Sequence, residues 1–386
     1  MNQVISDELG LHPSVINLAG KALASTRDGS DLADETLDVV AKWRSAHRFP
    51  LNTMKLWLVN KARQIDEDAL VAQRLKRMSS IASKLSCHPT MKLTQMQDIA
   101  GCIAIVGSVN SVYAIAKAYG RSDIRHERVH VDDYIGHPKV SGYRSIHLVY
   151  RYRSDKKTTF NGLKVEVQLR SMSQHAWATA VETVGIFTKQ ALKSSQGERS
   201  WLRFFALMGD AMARREGTPG VPGMPDDPVL VREELRDLTH ALDVEGHLKI
   251  FAEALKTPEK ISTKDAHYFL LSLDPSAMKI TVTGYKRDQL ERADSAYLAA
   301  EKKAIERSAR LDTVLVSVDT FALLKKAYPN YFLDTHRFIQ AVNREIRPTS
   351  RRDNPAQRIL PFPYFPLSYR QRQWNKLRST KTGRFV

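Results

Sequence analysis

The sequence predicts an α+β protein with two domains, in which a larger domain of strands and helices is followed by a smaller C-terminal α+β unit. The chain has 386 residues, more than one hydrophobic core usually supports. An apolar run at 98–106 and an alternating segment at 164–170 predict strands of the larger domain. A segment rich in Gly and Pro predicts a linker at 216–229, between domains at 1–215 and 230–386.

The predicted strand at 164–170 has one polar face. Val165, Val167 and Leu169 supply its apolar face, so every second residue points the other way. The polar face combines a carboxylate, an amide and two cations, which are Lys164, Glu166, Gln168 and Arg170. This set suits Mg²⁺ and phosphates, whereas the alternative is an exposed, salt-bridged strand.

A predicted amphipathic helix upstream carries further cations. At 3.6 residues per turn, Arg74, Ser80 and Lys84 fall along one side, and Lys76 adds another positive charge. The apolar run that follows begins at Asp98, so it predicts a central strand with a carboxylate at its mouth. A solvated helix face and a buried strand start are the alternatives.

A loop punctuated by Gly and Pro covers 133–145 and leads into a predicted strand at 146–152. Tyr143 lies between Gly142 and Arg144 in this loop. An aromatic ring at such a position is a platform for base stacking, whereas the alternative is a surface loop without a ligand.

These four segments resemble, in order, the motifs of the RelA/SpoT-type pyrophosphokinases, which are alarmone synthetases and their toxin relatives. The motifs are R-x-K-x₃-S-x₃-K at 74–84, D-x-A-G at 98–101, D-Y-I-x₂-P-K-x₂-G-Y-R-S-x-H at 133–147 and E-x-Q-x-R at 166–170, within a resemblance over roughly residues 40–205. Four motifs in the family's order form a specific pattern. The resemblance implies the mixed sheet of a RelA/SpoT nucleotidyltransferase-like fold.

The resemblance also implies how ATP is held. Arg74 would stack on the adenine. Lys76, Ser80 and Lys84 would line the phosphates.

The implied catalytic and metal-binding residues are Asp98 and Glu166, which would hold Mg²⁺ bound with ATP. Glu166 would also assist deprotonation of the attacking hydroxyl. Tyr143 would stack on the acceptor base. The other implied acceptor-binding residues are Lys139, Arg144, His147, Gln168 and Arg170.

The implied reaction is attack of a ribose hydroxyl on the β-phosphorus of ATP, which expels AMP and transfers pyrophosphate. Such chemistry depends on positioning and charge neutralisation. Two positions depart from the family pattern, because Ile103 replaces an arginine and Asp132 replaces a frequent basic residue. Either the acceptor is held differently, or activity is reduced, or Arg125, Arg128 and Arg151 compensate.

Further segments resemble the toxic small synthetase branch, including the CapRel-type proteins that fuse toxin and antitoxin. They lie at 43–51, 73–77, 174–182 and 201–205. That branch pyrophosphorylates the 3′ end of tRNA and so inhibits translation, which makes the tRNA acceptor end the implied partner. The alternative acceptor is a free guanosine or adenosine nucleotide, as in synthesis of (p)ppGpp or (p)ppApp. His175, Trp177 and Glu182 in these segments either contact the substrate or belong to a packed helix with a hydrogen-bonded core histidine.

The chain has a formal net charge of +17, which favours a polyanionic partner. Residues 347–386 contain ten Lys or Arg and one acidic residue, interleaved with aromatic residues, a composition that binds single-stranded nucleic acid. The alternative for the Pro-rich part at 361–366 is a strap docked on the catalytic domain.

The predicted C-terminal domain has a helix at 230–255, paired strands at 268–273 and 279–285, a charged helix at 287–310 and a strand at 313–318. Helices at 320–326 and 333–345 complete it, joined by a turn at 327–332. It resembles a degenerate zinc-finger-like antitoxin module. No zinc is expected, because Cys87 and Cys102 both lie in the first domain. The implied role is autoinhibition, which a phage protein would release by binding the open state.

The sequence has no leader, no apolar stretch long enough to cross a membrane and no lipidation motif, so a cytoplasmic protein without membrane attachment is expected. Two cysteines suit a reducing compartment. A third hypothesis is a nucleotide- or RNA-binding sensor without catalysis. The presence of both Asp98 and Glu166 argues against it, since buried carboxylates are costly to retain.

Overall fold

The computed structural model of the protein describes residues 10–25, 33–121, 124–188, 192, 197–253, 266–274, 277, 279–306, 312–317, 324 and 335–347. Its strands are Leu70–Leu75 (β1), Ala100–Val106 (β2), Glu127–Asp133 (β3), Ile146–Arg151 (β4), Lys164–Ser171 (β5), Tyr268–Asp274 (β6), Lys279–Tyr285 (β7) and Asp312–Ser317 (β8). They form one eight-stranded sheet in the order β3-β4-β5-β2-β1-β8-β6-β7.

Helices flank this sheet. Before β5 they are Pro13–Ser25 (α1), Asp34–Ala46 (α2), Arg48–Ile65 (α3), Met78–Cys87 (α4) and Val109–Arg121 (α5). After β5 they are Met172–Phe187 (α6), Arg199–Arg215 (α7), Pro228–Ala241 (α8), Val244–Glu253 (α9), Leu290–Glu306 (α10) and His336–Ile346 (α11). The predicted α+β class with a mixed sheet is confirmed. No helix in the described ranges is both long and apolar enough to cross a membrane.

The centre of the sheet is the parallel pair β2 and β5, in which Gly101 lies opposite Glu166. Strands β1, β4 and β8 join this pair through antiparallel contacts. The alternation in β5 is as predicted. Val165, Val167 and Leu169 are fully buried, whereas Lys164, Glu166 and Gln168 on the other face are half-buried. The buried face packs with α3 and α5 in the main core.

The four predicted ATP-binding residues were expected on a single helix, and this prediction was wrong. Arg74 lies in β1, Lys76 in the connection after it, and only Ser80 and Lys84 lie in α4. Segment 70–75 is a strand because both of its edges find partners: Arg74 is opposite Gly101 of β2 and Val316 of β8. These long-range backbone hydrogen bonds override a spacing that also fits a helix.

The predicted paired strands at 268–273 and 279–285 are confirmed as the antiparallel pair β6 and β7. The helix predicted at 230–255 is interrupted, because Asp243 has a φ of 40° between α8 and α9. A 3₁₀ turn at Arg287–Gln289 precedes α10. Strand β8 begins and ends one residue before its predicted bounds, and the helix predicted at 333–345 is confirmed as α11 within the described residues.

The described residues up to Ile346 belong to one compact unit. Strands from both sides of the predicted linker at 216–229 share the sheet, since β8 pairs with β1. The division into catalytic and regulatory domains at that linker stays a prediction. The turn predicted at 327–332, the basic tail and, apart from Leu324, the helix at 320–326 lie outside the described residues.

A close backbone approach fixes the loop before β4. Gly142 has a φ of 86°, and a Cβ added to it would lie 2.9 Å from the carbonyl oxygen of Phe205 and 3.3 Å from the Cα of Gly209. Both of these neighbours are backbone atoms of α7. Tyr143 is therefore presented by a loop pressed directly against a helix, where only glycine fits.

We expect Gly142→Ala to lower the free energy of unfolding by about 2 kcal/mol or more, because it combines a left-handed conformation with a backbone clash. Chemical denaturation would measure the loss.

Gly217→Ala is the matched control, since Gly217 has a φ of 66° with no atom within 4 Å of an added Cβ. It carries only the conformational cost, about 1 kcal/mol. Equal losses in the two variants would contradict a role for the close approach.

Candidate active site

Polar side chains from adjacent strands share one face of the sheet, which we call the polar face. In β5 it carries Lys164, Glu166, Gln168 and Arg170. Residues directly opposite each other in paired strands point to the same side. The register therefore adds His147 of β4, opposite Gln168, and Arg74 of β1, opposite Gly101.

Glu166 lies at the centre of this face. His147 Nδ1 is 2.9 Å from Glu166 Oε1, and Gln168 Nε2 donates to Glu166 Oε2 at 2.6 Å. The side chains of His147 and Glu166 are each only 13% exposed. Both oxygens of a nearly buried carboxylate therefore have polar partners, as burial of a charge requires.

Tyr143 joins the same hydrogen-bond network. Its hydroxyl is 2.7 Å from His147 Nε2 and accepts from Arg170 at 2.8 Å, while Arg170 also donates to Gln168 Oε1 at 3.1 Å. Lys139 Nζ lies 4.2 Å from the ring centre of Tyr134 and 5.6 Å from that of Tyr143. Two aromatic rings and two cations thus lie beside Glu166, an arrangement that suits a base and its phosphates.

Asp98 is the second carboxylate of the site, just before β2. Lys76 Nζ donates to its Oδ2 at 3.0 Å and Lys84 Nζ to its Oδ1 at 2.9 Å. The side chain of Asp98 is 19% exposed, so these pairs are partly shielded from water. Two cations predicted to bind phosphates therefore converge on one predicted metal ligand.

The surroundings of both carboxylates keep them ionised. Burial alone would raise the pKa of Asp98, but the charges of Lys76 and Lys84 lower it to about 2. Burial would likewise raise the pKa of Glu166, but the hydrogen bond and charge of His147 hold it below its usual value. The negative charge of Asp98 acts in the opposite direction and raises the pKa of Glu166.

This donor set fits Mg²⁺. Ionised carboxylate oxygens are hard ligands, and Mg²⁺ at nucleotide sites typically takes one or two carboxylates together with substrate phosphates and water. The described residues contain no cluster of three or more His, Cys, Asp or Glu that could hold a metal. Asp98 and Glu166 are ionised carboxylates of the kind that would serve as such ligands.

The structure brings most predicted site residues to this region. Arg74 is half-buried on β1, and Ser80 is half-buried on α4, one turn before Lys84. Arg144 is the exception: it is 2% exposed, donates to Thr218 at 3.1 Å and lies 3.3 Å from Glu216. It holds the segment after α7 against the loop instead of lining the cleft with Tyr143.

The two residues that depart from the family pattern, Ile103 and Asp132, lie in different surroundings. Ile103 packs against an apolar cluster that contains Ala72, Val316 and Leu324. Asp132 lies opposite His147 in the β3–β4 pair, with His130 Nε2 2.9 Å from its carboxylate.

Arg125 and Arg151, named as compensating cations, are paired with other acids. Arg125 binds Asp155, and Arg151 donates to Glu127 at 2.8 and 2.9 Å. These pairs are at least partly exposed, with Arg125 on the surface. Both arginines therefore already neutralise carboxylates, Arg151 at the end of the polar face, where it lies opposite Lys164.

Sequence reasoning missed Tyr134 as a site residue. Its ring lies 5.3 Å from that of His147 and 5.9 Å from that of Tyr143. Burial, followed by the charge of Asp132, raises its pKa to about 12. The sequence feature that could have identified Tyr134 as a site residue is its position in the same loop as Tyr143.

Residues 73–190 match the family described as a region found in RelA/SpoT proteins. Two relatives from Bacillus subtilis (strain 168), GTP pyrophosphokinase YwaC and GTP pyrophosphokinase YjbM, are 32% and 33% identical over 112 residues. Each alignment covers 28% of this chain and 52% of the relative, so the chain spans about half the length of the curated relatives it matches. The region that matches the family, residues 73–190, contains every predicted site residue.

The crystal structure of the small alarmone synthetase 1 from Bacillus subtilis is 21% identical, over 53% of this chain and 99% of that chain, with a TM-score of 0.37. The resemblance of the four motifs to RelA/SpoT pyrophosphokinases is confirmed by the family match. Residues 73–190 thus resemble the region found in RelA/SpoT proteins. The toxic branch stays a prediction.

The His147–Glu166 pair predicts a pH dependence of stability. Burial alone would lower the pKa of His147, but Tyr143 and Glu166 raise it from 6.5 to about 9. A raised pKa stabilises the folded state fully below pH 6.5, and this contribution is lost as the pH rises through about 9. We expect the free energy of unfolding to fall by about 2–3 kcal/mol across that window, measured by denaturation at several pH values.

His147→Asn should remove this slope. His47 and His126 do not interfere, because burial lowers their pKa values and their contributions change below pH 6.5. A slope that is the same in His147→Asn and the unaltered chain would refute the assignment.

Proposed function

We propose that the protein is an ATP-dependent pyrophosphokinase. The observation that carries this proposal is a pair of nearly buried carboxylates with cationic partners: Asp98 is held by Lys76 and Lys84, and Glu166 is held by His147, which also contacts Tyr143. Phosphoryl transfer needs positioning and charge neutralisation rather than a covalent intermediate with the protein. The family match and the relatives' names as GTP pyrophosphokinases support the same reaction class.

In the proposed step, a ribose hydroxyl oxygen of the acceptor forms a bond to the β-phosphorus of ATP. The bond from that phosphorus to the oxygen bridging to the α-phosphorus breaks, and AMP leaves with the electron pair. Glu166 accepts the hydroxyl proton, for which it must first be released by His147 or Gln168. Lys76 and Lys84 would exchange Asp98 for the phosphates. Asp98 and Glu166 are the residues that would hold Mg²⁺, which would supply neutralisation of phosphate charge.

For the acceptor we propose the 3′ end of tRNA, so that the reaction inhibits translation. The net charge of +17 supports a nucleic-acid acceptor. Asp132 supports it further, because a carboxylate opposite His147 repels the terminal phosphates of a free nucleotide. The second candidate is synthesis of (p)ppGpp or (p)ppApp from free nucleotides, which the names of the two relatives favour.

We also propose that the C-terminal domain restrains the enzyme and that a phage protein releases it. Leu324, from the predicted C-terminal domain, is fully buried in the apolar cluster against which Ile103 packs. Ile103 is directly opposite Gln168, so this cluster adjoins the polar face. A C-terminal side chain next to the proposed acceptor site supports restraint by occlusion.

The reaction is tested with ATP labelled at the γ-phosphate, offered with tRNA, GDP, GTP or AMP in separate reactions. We expect Glu166→Gln to lower transfer by about 100-fold or more, because it keeps the shape of the side chain but removes the proton acceptor. Glu127→Gln is the control, since it removes an equal charge from the exposed pair with Arg151. Equal transfer by Glu166→Gln and Glu127→Gln would overturn the site assignment.

Tyr143 provides a test of the acceptor side. Tyr143→Ala should raise the acceptor KM at least about tenfold, while Tyr143→Phe keeps the stacking ring and should change it less. Label on tRNA alone supports the toxin proposal, whereas label on free nucleotides alone supports the second candidate. An unaltered acceptor KM in Tyr143→Ala would show that the ring of Tyr143 does not bind the acceptor.

Restraint is tested by Leu324→Asp, which places a charge in the apolar cluster and should displace the segment around it. We expect transfer by the full-length chain to increase several-fold, with Leu324→Met as the volume-conserving control. Thermal unfolding would verify that both variants fold. A folded Leu324→Asp chain no more active than the control would count against restraint through this contact.

A further inference from the structure

The connection between β1 and α4 carries the proposed phosphate ligand Lys76, and it is held from behind by two charged side chains. Arg44 of α2 donates to the carbonyl oxygen of Lys76 at 3.4 Å. Glu301 of α10 accepts from the backbone N–H of Met78 at 2.9 Å. The two bonds fix the backbone on either side of Arg77, at the first turn of the helix that carries Lys84.

Arg44 and Glu301 also bind each other. Their side chains approach to 2.6 Å and are 4% and 8% exposed. The guanidinium of Arg44 lies 4.7 Å from the ring centre of Tyr297, which is itself 2% exposed. Breaking such a buried pair by removing one partner leaves an uncompensated charge, so the pair constrains the two helices firmly.

Helix α10 is coupled to the C-terminal strands. Ala293 and Tyr297 of α10 are buried in one cluster with Tyr268 of β6 and Leu315 of β8. Near the other end of the contact with α2, Lys302 pairs with Asp34 and Asp38 on the surface. Any displacement of the C-terminal strands would therefore move Glu301 relative to Met78.

We propose that the buried Arg44–Glu301 pair positions the ATP-binding segment 76–84 and that, through it, the C-terminal region sets the affinity for ATP. This inference rests on the proposed function. Glu301 and Arg44 are positioning residues, since they hold the backbone beside Lys76 while the side chain of Lys76 contacts Asp98.

The test measures ATP affinity separately from turnover. Binding of a non-hydrolysable ATP analogue with Mg²⁺ is followed by calorimetry for the full-length chain, Glu301→Gln and Glu301→Ala. Glu301→Gln keeps an oxygen that accepts from Met78 but loses the charge opposite Arg44, and we expect a rise in Kd of about threefold. Glu301→Ala loses both contacts, and we expect a rise of about tenfold. The acceptor KM should stay the same in both.

A double variant separates positioning from stability. Arg44→Met combined with Glu301→Leu removes both charges, so no buried charge is left without a partner and the fold is retained. Its backbone at Lys76 and Met78 has lost both side-chain contacts, so its Kd for the analogue should still rise about tenfold. Lys302→Ala is the control on the same helix, because it breaks only exposed ion pairs and should leave the Kd unchanged.

Each outcome decides one question. A folded double variant with the Kd of the unaltered chain would overturn the inference while leaving the proposed function standing, and so would an equal rise in Lys302→Ala. If Glu301→Ala does not fold, Glu301→Gln and the double variant decide. An unaltered chain that does not bind the analogue would overturn the proposed function itself, and this inference with it.

Discussion

The parallel pairing of β2 with β5 is the constraint on which the rest of the site depends. This register sets Gly101 opposite Glu166, and so brings the segment that begins with Asp98 beside the polar face of β5. The antiparallel neighbours then add His147 from one side and Arg74 from the other. A shift of one residue in β5 would turn Glu166 into the core and Val167 out of it.

Charge neutralisation is the second requirement. Asp98 and Glu166 are nearly buried, and each would be costly to ionise without partners. Lys76 and Lys84 supply the partners of Asp98, while His147 and Gln168 supply those of Glu166. The same cations suit phosphates, so under the proposed function ATP and Mg²⁺ would take over these contacts on binding.

Local pattern predicted much of this arrangement. The alternation in β5 and the apolar run of β2 identified two central strands and the face on which Glu166 lies. Local pattern failed where a distant segment decides the outcome. Arg74 is in a strand because β1 pairs with β2 and also with β8, which lies more than 230 residues later in the chain. Arg144 is buried because Glu216, from the predicted linker, neutralises it. The partner of each residue could not be read from its own neighbourhood in the sequence.

The central claim is that the polar face transfers the β- and γ-phosphates of ATP together. The most direct measurement compares ATP labelled at the α-phosphate with ATP labelled at the γ-phosphate, with products separated after incubation with Mg²⁺ and acceptor. The account predicts that γ-label moves to the acceptor while α-label appears only in AMP, in equal amounts. Two results would contradict it. One is transfer of the γ-phosphate alone with release of ADP, and the other is transfer of AMP to the acceptor with release of free pyrophosphate.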